Sequence, residues 1–526
     1  MVVVGNRIRN TNDEPLRRRG GDGGRFEKLA KTGANVTLVD KTKTFKRNAR
    51  CAGCQSVHNS LLWALVLGVA LAFLLGAGMG ANDVSNAFGT SVGSGVLTLT
   101  QAYFLATVFE TLGAVLVGYS VVDTLRKSVV DTGQYVHAPI DLFFGQIAAL
   151  GGCSAWLIIA TCLSLPVSTT HSIVGGTLGY SLVLRGFQGV RWIKILYVVI
   201  SWITSPLISG TFSVFIYMVV DFTILRRKDP LECGLRMLPA FFFFCIAFNV
   251  FIVTWKGSRV LYFDHIPFWM ALLLALSSGC VAALVVHIFL SPRLRKQALE
   301  TSSSDTVSSS ATDAPVEMED GSTGKSSATE SHSEDKSEGT QRFLNWLRPD
   351  PKRPEDPRIT GIFSSIQVMT ACFAGYAHGA QDVSNAVAPL AALLSIYGTG
   401  SALQLEEVPL YVLIYGVVSI CAGLWIFGDR VIETVGKKVS KLNPASGFTI
   451  EFGAAMTSLL AGRMGIPIST THCVVGSVVA VGCLRAREPI KWTLLRNIAL
   501  SWVVTIPVAG GISAAIMLML KYIVIT

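Results

Sequence analysis

The octapeptide Gly80-Ala81-Asn82-Asp83-Val84-Ser85-Asn86-Ala87 follows an apolar run from Leu61 to Leu75, and a copy, Gly379-Ala380-Gln381-Asp382-Val383-Ser384-Asn385-Ala386, recurs far along the chain. The copies differ only at Asn82 against Gln381. A carboxylate at membrane depth is costly, so such groups face a bundle interior or a water-filled cavity. Two of them, each wrapped in amides, restrict the chain to folds that enclose two polar patches in an apolar shell.

A second motif repeats in the same order. Pro166-Val167-Ser168-Thr169-Thr170-His171 has the copy Pro467-Ile468-Ser469-Thr470-Thr471-His472. The interval from Asp83 to Pro166 nearly equals that from Asp382 to Pro467, which makes the chain an internal repeat. The residues are 51% hydrophobic and 15% charged, against about 25% charged in soluble domains. Apolar segments fall near 60–80, 97–122, 141–163, 168–185, 193–220, 237–255 and 267–290, then near 359–378, 385–428, 447–461, 467–484 and 493–524. They are too long and too evenly apolar for an outer-membrane barrel. Pro139, Pro166, Pro206, Pro389, Pro467 and Pro507 are expected to break or kink them. The expected fold is an all-α membrane protein with about twelve transmembrane segments. If seven spans separate corresponding positions, an odd number, the two repeats are inverted in topology, with broken helices or re-entrant hairpins at the midplane.

The chain has four regions. Residues 1–57 form a basic, Gly-rich tail with no core of its own, expected to be disordered; 58–290 is a first membrane block holding repeat 1; 291–358 is a Ser-rich, acidic segment, also expected to be disordered; 359–526 is a second block holding repeat 2. The net charge of +10 is concentrated in the tail and beside apolar segments, so it is no nucleic-acid footprint. The tail carries the sequon Asn35-Val36-Thr37, and Cys51 and Cys54 form a CxxC without a second pair. The Lys- and Arg-rich loops include Arg226, Arg227, Lys228, Arg293, Arg295, Lys437, Lys438 and Arg485, and the poorer set includes Arg126, Lys127, Arg185, Arg191, Lys194, Lys256, Arg259 and Arg463. Placing the richer set in the cytoplasm puts both termini outside and loop 291–358 inside.

The Pro-x-Ser-Thr-Thr-His motifs read as helix starts inside the membrane, where free N–H groups, hydroxyls and the positive dipole end make an anion site. Two facing starts would surround a tetrahedral oxyanion. The Asp patches offer carboxylate and amide oxygens, which suit Na⁺, or a proton on Asp83 or Asp382. Glu110 and Glu451 are further intramembrane carboxylates, and His378 lies one helical turn before Asp382. His171 and His472 close the Pro motifs as buried, hydrogen-bonded groups or as part of the site. No metal-ligand spacing, Walker loop, dinucleotide fingerprint or nucleophile elbow is present.

These paired motifs resemble the signatures of the inorganic phosphate transporter (PiT) family of cation–phosphate symporters. The resemblance spans both membrane blocks and implies a secondary active transporter, not an enzyme, that imports phosphate with Na⁺ across the plasma membrane as a homodimer, with no cofactor and no nucleic-acid partner. It implies phosphate binding at Ser168, Thr169, Thr170, Ser469, Thr470 and Thr471. Sodium would be bound by Asn82, Asp83, Asn86, Gln381, Asp382 and Asn385, with Glu110, His378 and Glu451 in coupling. Two departures stand out: Gln381 replaces the Asn usual in the second signature, and Gln146 stands where animal relatives carry Glu. Proton coupling, or a phosphate sensor on the same scaffold, remain the alternatives.

Overall fold

The structure is a computed structural model and describes residues 52–255, 261, 263–309, 346, 348–350, 353, 356–433, 442–464, 466, 468–486 and 492–525. Readings placed on residues 1–51, including the sequon and Cys51, on 310–345, and on Lys256, Arg259, Lys437, Lys438 and Pro467 lie outside these residues. The chain divides into two compact units, 1–62 and 63–526. Of the first, residues 52–62 are described, and they are helical, so helix begins ahead of the expected tail boundary at 57. The second unit holds both Asp patches and both Pro motifs.

Among the described residues the backbone is helical apart from its connections and one isolated bridge between Val130 and Val190. The first block holds α1 (Ala52–Gly93), α2 (Leu99–Ser128), α3 (Pro139–Cys162), α4 (Thr169–Arg185), α5 (Trp192–Val220), α6 (Pro230–Thr254) and α7 (Phe268–Val285). A π turn then leads into α8 (Ser291–Ser309). The start of the central segment is therefore a helical continuation of α7. The second block holds α9 (Pro357–His378), α10 (Ser384–Thr399), α11 (Leu410–Phe427), the short α12 (Asp429–Glu433), α13 (Pro444–Arg463), α14 (Thr470–Ala486) and α15 (Trp492–Leu520).

Nine helical runs among the described residues are long and apolar enough to cross a membrane. Three further helices of the two Pro-motif regions fall short of that standard. α4 and α14 have only 17 residues each, and α13 is interrupted by Ser, Thr and Glu451. The breaks in the chain lie between α3 and α4 and between α13 and α14, at the Pro motifs. The Asp patches do not break it. The first sits inside the continuous 42-residue α1, and the second occupies a π turn, Gly379–Val383, joining α9 to α10 without interruption. Pro139 and Pro444 open their helices at the first turn rather than breaking them, where a missing N–H costs nothing. Pro206, Pro389 and Pro507 lie inside helices.

The two halves are interlocked. α15 packs against both arms of the α3–α4 hairpin, and α5 packs against both arms of α13–α14. Small hydroxyl residues let these helices approach and bond, as is common between helices in lipid. Ser209 on α5 donates to the Cys473 carbonyl at 2.9 Å, and Ser513 on α15 donates to the Gly176 carbonyl at 2.7 Å.

Each Asp patch begins at a helix crossing. A Cβ on Gly80 would collide with the backbone of Ile420 on α11, and one on Gly379 would collide with the backbone of Glu110 on α2. The crossings therefore place Ile420 against the Asp83 patch where Glu110 stands against the Asp382 patch.

Candidate functional site

Four elements meet at the centre of the second unit: the patch on α1, the patch on the π turn between α9 and α10, and the starts of α4 and α14. Ser168 caps α4 by accepting from the His171 N–H at 3.3 Å, and Ser469 accepts from the His472 N–H at 3.4 Å. Both hydroxyl oxygens expected to face phosphate are thus used first to satisfy backbone donors at the helix starts. The next residues cross between halves. Thr170 Oγ1 donates to the Ile468 carbonyl at 3.4 Å, and Thr471 Oγ1 donates to the Val167 carbonyl at 3.3 Å.

The asparagines repeat the exchange. Asn86 Nδ2 donates to Asp83 Oδ1 at 3.0 Å and to Thr471 Oγ1 at 2.9 Å. Asn385 Nδ2 donates to Asp382 Oδ1 at 3.1 Å and to Thr170 Oγ1 at 3.1 Å. Each patch therefore addresses the helix start of the opposite copy. Thr169 donates to Asp382 Oδ1 at 2.6 Å and Thr470 to its Oδ2 at 3.4 Å.

The two carboxylates, expected to sit at separate cation sites, converge. Ligand atoms of Asp83, Asp382 and His378 all lie within 4.8 Å of one another, and all three residues are buried. His378 links this group to Glu110. Its Nδ1 is 2.9 Å from Glu110 Oε1, and its Nε2 is 3.1 Å from Asp382 Oδ2. The contact one turn before Asp382 is as the spacing predicts. Oδ2 of Asp83, Oδ1 of Asn86 and Oε2 of Glu110 are buried without a hydrogen-bond partner among the described residues. Buried oxygens left without donors, two of them on carboxylates, suit a hard cation of the Na⁺ type.

Asn82 and Gln381 bond to the two hairpins. Asn82 Nδ2 donates to the Leu165 carbonyl at 2.9 Å and to Thr161 at 3.2 Å, and its Oδ1 accepts from the Val167 N–H at 3.1 Å. It staples the break between α3 and α4 to α1. Gln381, one methylene longer, donates to the Ser458 carbonyl at 2.5 Å, on the last turns of α13. Both side chains anchor the hairpins.

Glu451 sits in a clasp of donors. Oε1 accepts from Thr90 at 2.6 Å, Ser91 at 2.5 Å and Gln367 at 3.2 Å, and Oε2 accepts from Thr370 at 2.8 Å. Its counterpart, seven residues after the helix-opening Pro, is Gln146, which donates to the Tyr180 hydroxyl at 2.8 Å. Counted from the Asp of each patch, the residues matching Thr90, Ser91, Gln367 and Thr370 are Pro389, Leu390, Gly68 and Leu71. The carboxylate and its whole donor set are replaced together at the positions that match them.

Two narrow cavities reach the centre. One of about 50 Å³ is lined by Thr170, Gln381 and Asn385, with Lys194 among its walls. The other, of about 20 Å³, is lined by Asn86, His378, Ser458 and Thr470. The smaller has room for about one water.

The arrangement has known relatives. Residues 79–513 match the model of the phosphate transporter family. The chain belongs to that family. It is 33% identical to the sodium-dependent phosphate transporter 1-A of Danio rerio, an alignment covering 90% of this chain and 97% of the relative. It is 33% identical to the sodium-dependent phosphate transporter 2 of Xenopus tropicalis, covering 88% and 98%. A solved structure titled the sodium-dependent phosphate transporter is similar at 31% identity with a TM-score of 0.71, covering 88% of this chain and 99% of that one.

Within this family member the sequence reading overlooks Thr90, Ser91, Gln367 and Thr370. Their signal is available, since each is a polar residue inside an apolar helix. It also overlooks the meeting of His171 and His472, whose ring centroids are 4.7 Å apart. His171 faces Trp202 at 5.8 Å and His472 faces Trp502 at 3.7 Å, and the repeated Ser-Trp pairs at 201–202 and 501–502 mark those partners. Neither imidazole has a hydrogen-bond partner among the described residues, so the expectation of hydrogen-bonded histidines is not met.

Proposed function

We propose that this chain is a Na⁺-coupled symporter that imports inorganic phosphate by alternating access, a secondary active transporter and not an enzyme. The observation that carries the reading is the convergence of both Asp patches with both Ser/Thr helix starts, in a member of the phosphate transporter family. Na⁺ binds among Asp83, Asp382 and the oxygens of Asn86 and Asn385. Asn82 and Gln381 hold the hairpin breaks in register for it. Phosphate binds between Thr169–Thr170 and Thr470–Thr471, with Ser168 and Ser469 fixing the helix starts whose N–H groups face it.

Coupling follows from charge. An anion beside two carboxylates is repelled until cations offset them. Na⁺ binding therefore precedes phosphate binding, and it releases the Thr169 and Thr470 hydroxyls from Asp382. Glu110 and His378 transmit the charge state of Asp382 to α2, and the Glu451 clasp ties α1, α9 and α13 together. Each net positive charge carried inward gains about 2.3 kcal/mol per 100 mV. The wider assembly we read as twelve spans in two inverted repeats, forming a homodimer in the plasma membrane, with loop 291–358 cytoplasmic and the termini extracellular.

The test is radiolabelled phosphate uptake into proteoliposomes under imposed ion gradients. Uptake is expected to follow an inward Na⁺ gradient at constant pH. Uptake driven by a proton gradient alone would overturn Na⁺ coupling, and binding of phosphate without net flux would turn the reading into that of a sensor.

A further inference from the structure

A second chamber lies apart from the transport site and shares no residue with it. Its cavity of about 820 Å³ is walled by the end of α5, the start of α6, the segment entering α9, the start of α13 and the end of α14. That volume falls within the usual range of small-molecule sites, about 300–1,000 Å³.

Charge sets its chemistry. Six cationic side chains, Arg226, Arg227, Lys228, Arg353, Arg358 and Arg485, face three carboxylates, Asp221, Asp350 and Asp356. Two of the carboxylates serve as fixtures. Asp221, fully buried, holds Arg226 at 2.5 Å and Arg353 at 2.7 Å, and Asp356 holds Arg358 at 2.7 Å. Three guanidinium groups are thereby fixed in place before any ligand arrives. Arg227 and Lys228 are exposed and have no carboxylate partner among the described residues. Three helix starts also border the cavity, at Pro230 of α6, Arg358–Thr360 of α9 and Pro444 of α13, and each adds partial positive charge. A single phosphate would use only a fraction of these donors.

We propose that this chamber is a binding site for a compact anion bearing several phosphate groups. Pre-oriented guanidinium forks pair bidentately with phosphate oxygens, and Lys228 adds a point charge. The apolar floor of Leu225, Ile359 and Phe363 takes the carbon ring or stem that carries the phosphates. Such chemistry has two sources, a soluble inositol polyphosphate or the headgroup of a phosphoinositide.

The full chain, purified in detergent, is titrated with inositol hexakisphosphate by calorimetry. In parallel it is reconstituted into nanodiscs with and without phosphatidylinositol bisphosphate, and lipid retention is measured. One saturable site for the soluble probe assigns the chamber to a free polyphosphate. Selective retention of the bisphosphorylated lipid without that titration assigns it to a headgroup. In either arm, Arg227→Glu with Lys228→Glu is expected to weaken binding at least about tenfold. Phosphate uptake by the same double variant is expected to persist, which separates this site from the transport site. No binding of either probe, or equal binding by the variant, overturns the proposal.

Discussion

Nδ1 of His378 lies 2.9 Å from Oε1 of Glu110, and the pair has no equivalent at the Asp83 patch. At the Asp83 patch the matching positions are Met79, four residues before Asp83, and Ile420, which Gly80 meets as Gly379 meets Glu110. One Asp patch is wired to a charged relay and the other is backed by two apolar side chains. The likeness of the two motif copies therefore holds for the cradle and fails for the groups behind it.

If Glu110 and His378 act as one unit, their removal is not additive. Glu110→Gln and His378→Gln are each expected to lower the initial rate of Na⁺-driven phosphate uptake by about 2 kcal/mol in effect, roughly thirtyfold, and the double variant is expected to be no worse than the poorer single. Proteoliposome uptake rates from the four proteins check this. A double variant equal to the product of the two singles would show that the relay is not a unit.

The two aspartates are unequal in their bonding. Asp382 receives Thr169, Thr470 and Asn385 and stands beside His378, whereas Asp83 receives Asn86 through one oxygen and leaves the other bare. Both Asp83→Asn and Asp382→Asn are expected to abolish coupled uptake. Asp382→Asn is also expected to lower thermal stability, by about 1–3 kcal/mol, because Asn385 and the two threonines lose a charged acceptor. Asp83→Asn is expected to cost less, because a single donor, Asn86, loses its acceptor there. Uptake and melting curves on the same preparations separate the two.

Glu451 and Gln146 occupy matching places in unlike surroundings. Glu451→Gln replaces one acceptor oxygen by a donor facing hydroxyls and is expected to cut uptake at least about tenfold while costing about 1–3 kcal/mol in stability. Gln146→Glu sets a carboxylate beside the Tyr180 hydroxyl, where the positions matching the Glu451 donors are Gly68, Leu71, Pro389 and Leu390. It is expected to destabilise without raising uptake. A gain in the number of Na⁺ ions transported per phosphate in Gln146→Glu, measured by dual-isotope flux, would refute the view that this half-site is disabled by its surroundings.

Close approach at the crossings predicts a steric series. Gly80→Ala and Gly379→Ala drive a methyl group into backbone and are each expected to cost about 1–3 kcal/mol with loss of uptake. Gly398, exposed near the end of α10 with nothing within 4 Å of a Cβ, is the control. Gly398→Ala is expected to stabilise by about 0.5–1 kcal/mol. Thermal unfolding in detergent ranks the three.

Much of this site is legible in the chain because its cost is visible there. A carboxylate in an apolar run needs a reason, and Asp83, Glu110, Asp382 and Glu451 each announce themselves. The Pro motifs locate the broken helices because Pro and hydroxyl residues cap helix starts. What is not legible is which polar group faces which. Asn82 reads as a cation ligand by composition, and the three bonds that tie it to residues 161–167 are invisible in the sequence. Ser168 reads as a phosphate ligand, and its oxygen also caps its own helix. The two patches look like two sites because sequence distance says nothing of the crossing that brings Asp83 and Asp382 together.

The interlocking of the hairpins has a consequence for biogenesis. The faces of α3 and α4 that α15 covers have no partner until the last helix is made. From Arg185 to Trp492 the ribosome must add about three hundred residues, which at about 5–20 residues per second leaves those faces waiting for about 15–60 s. During that interval the polar starts of α4 must be sheltered by something other than their final neighbours, and α13 and α14, by contrast, emerge with α5 already in place. Truncation before α15 is therefore expected to leave the first hairpin, not the second, as the portion that quality control detects.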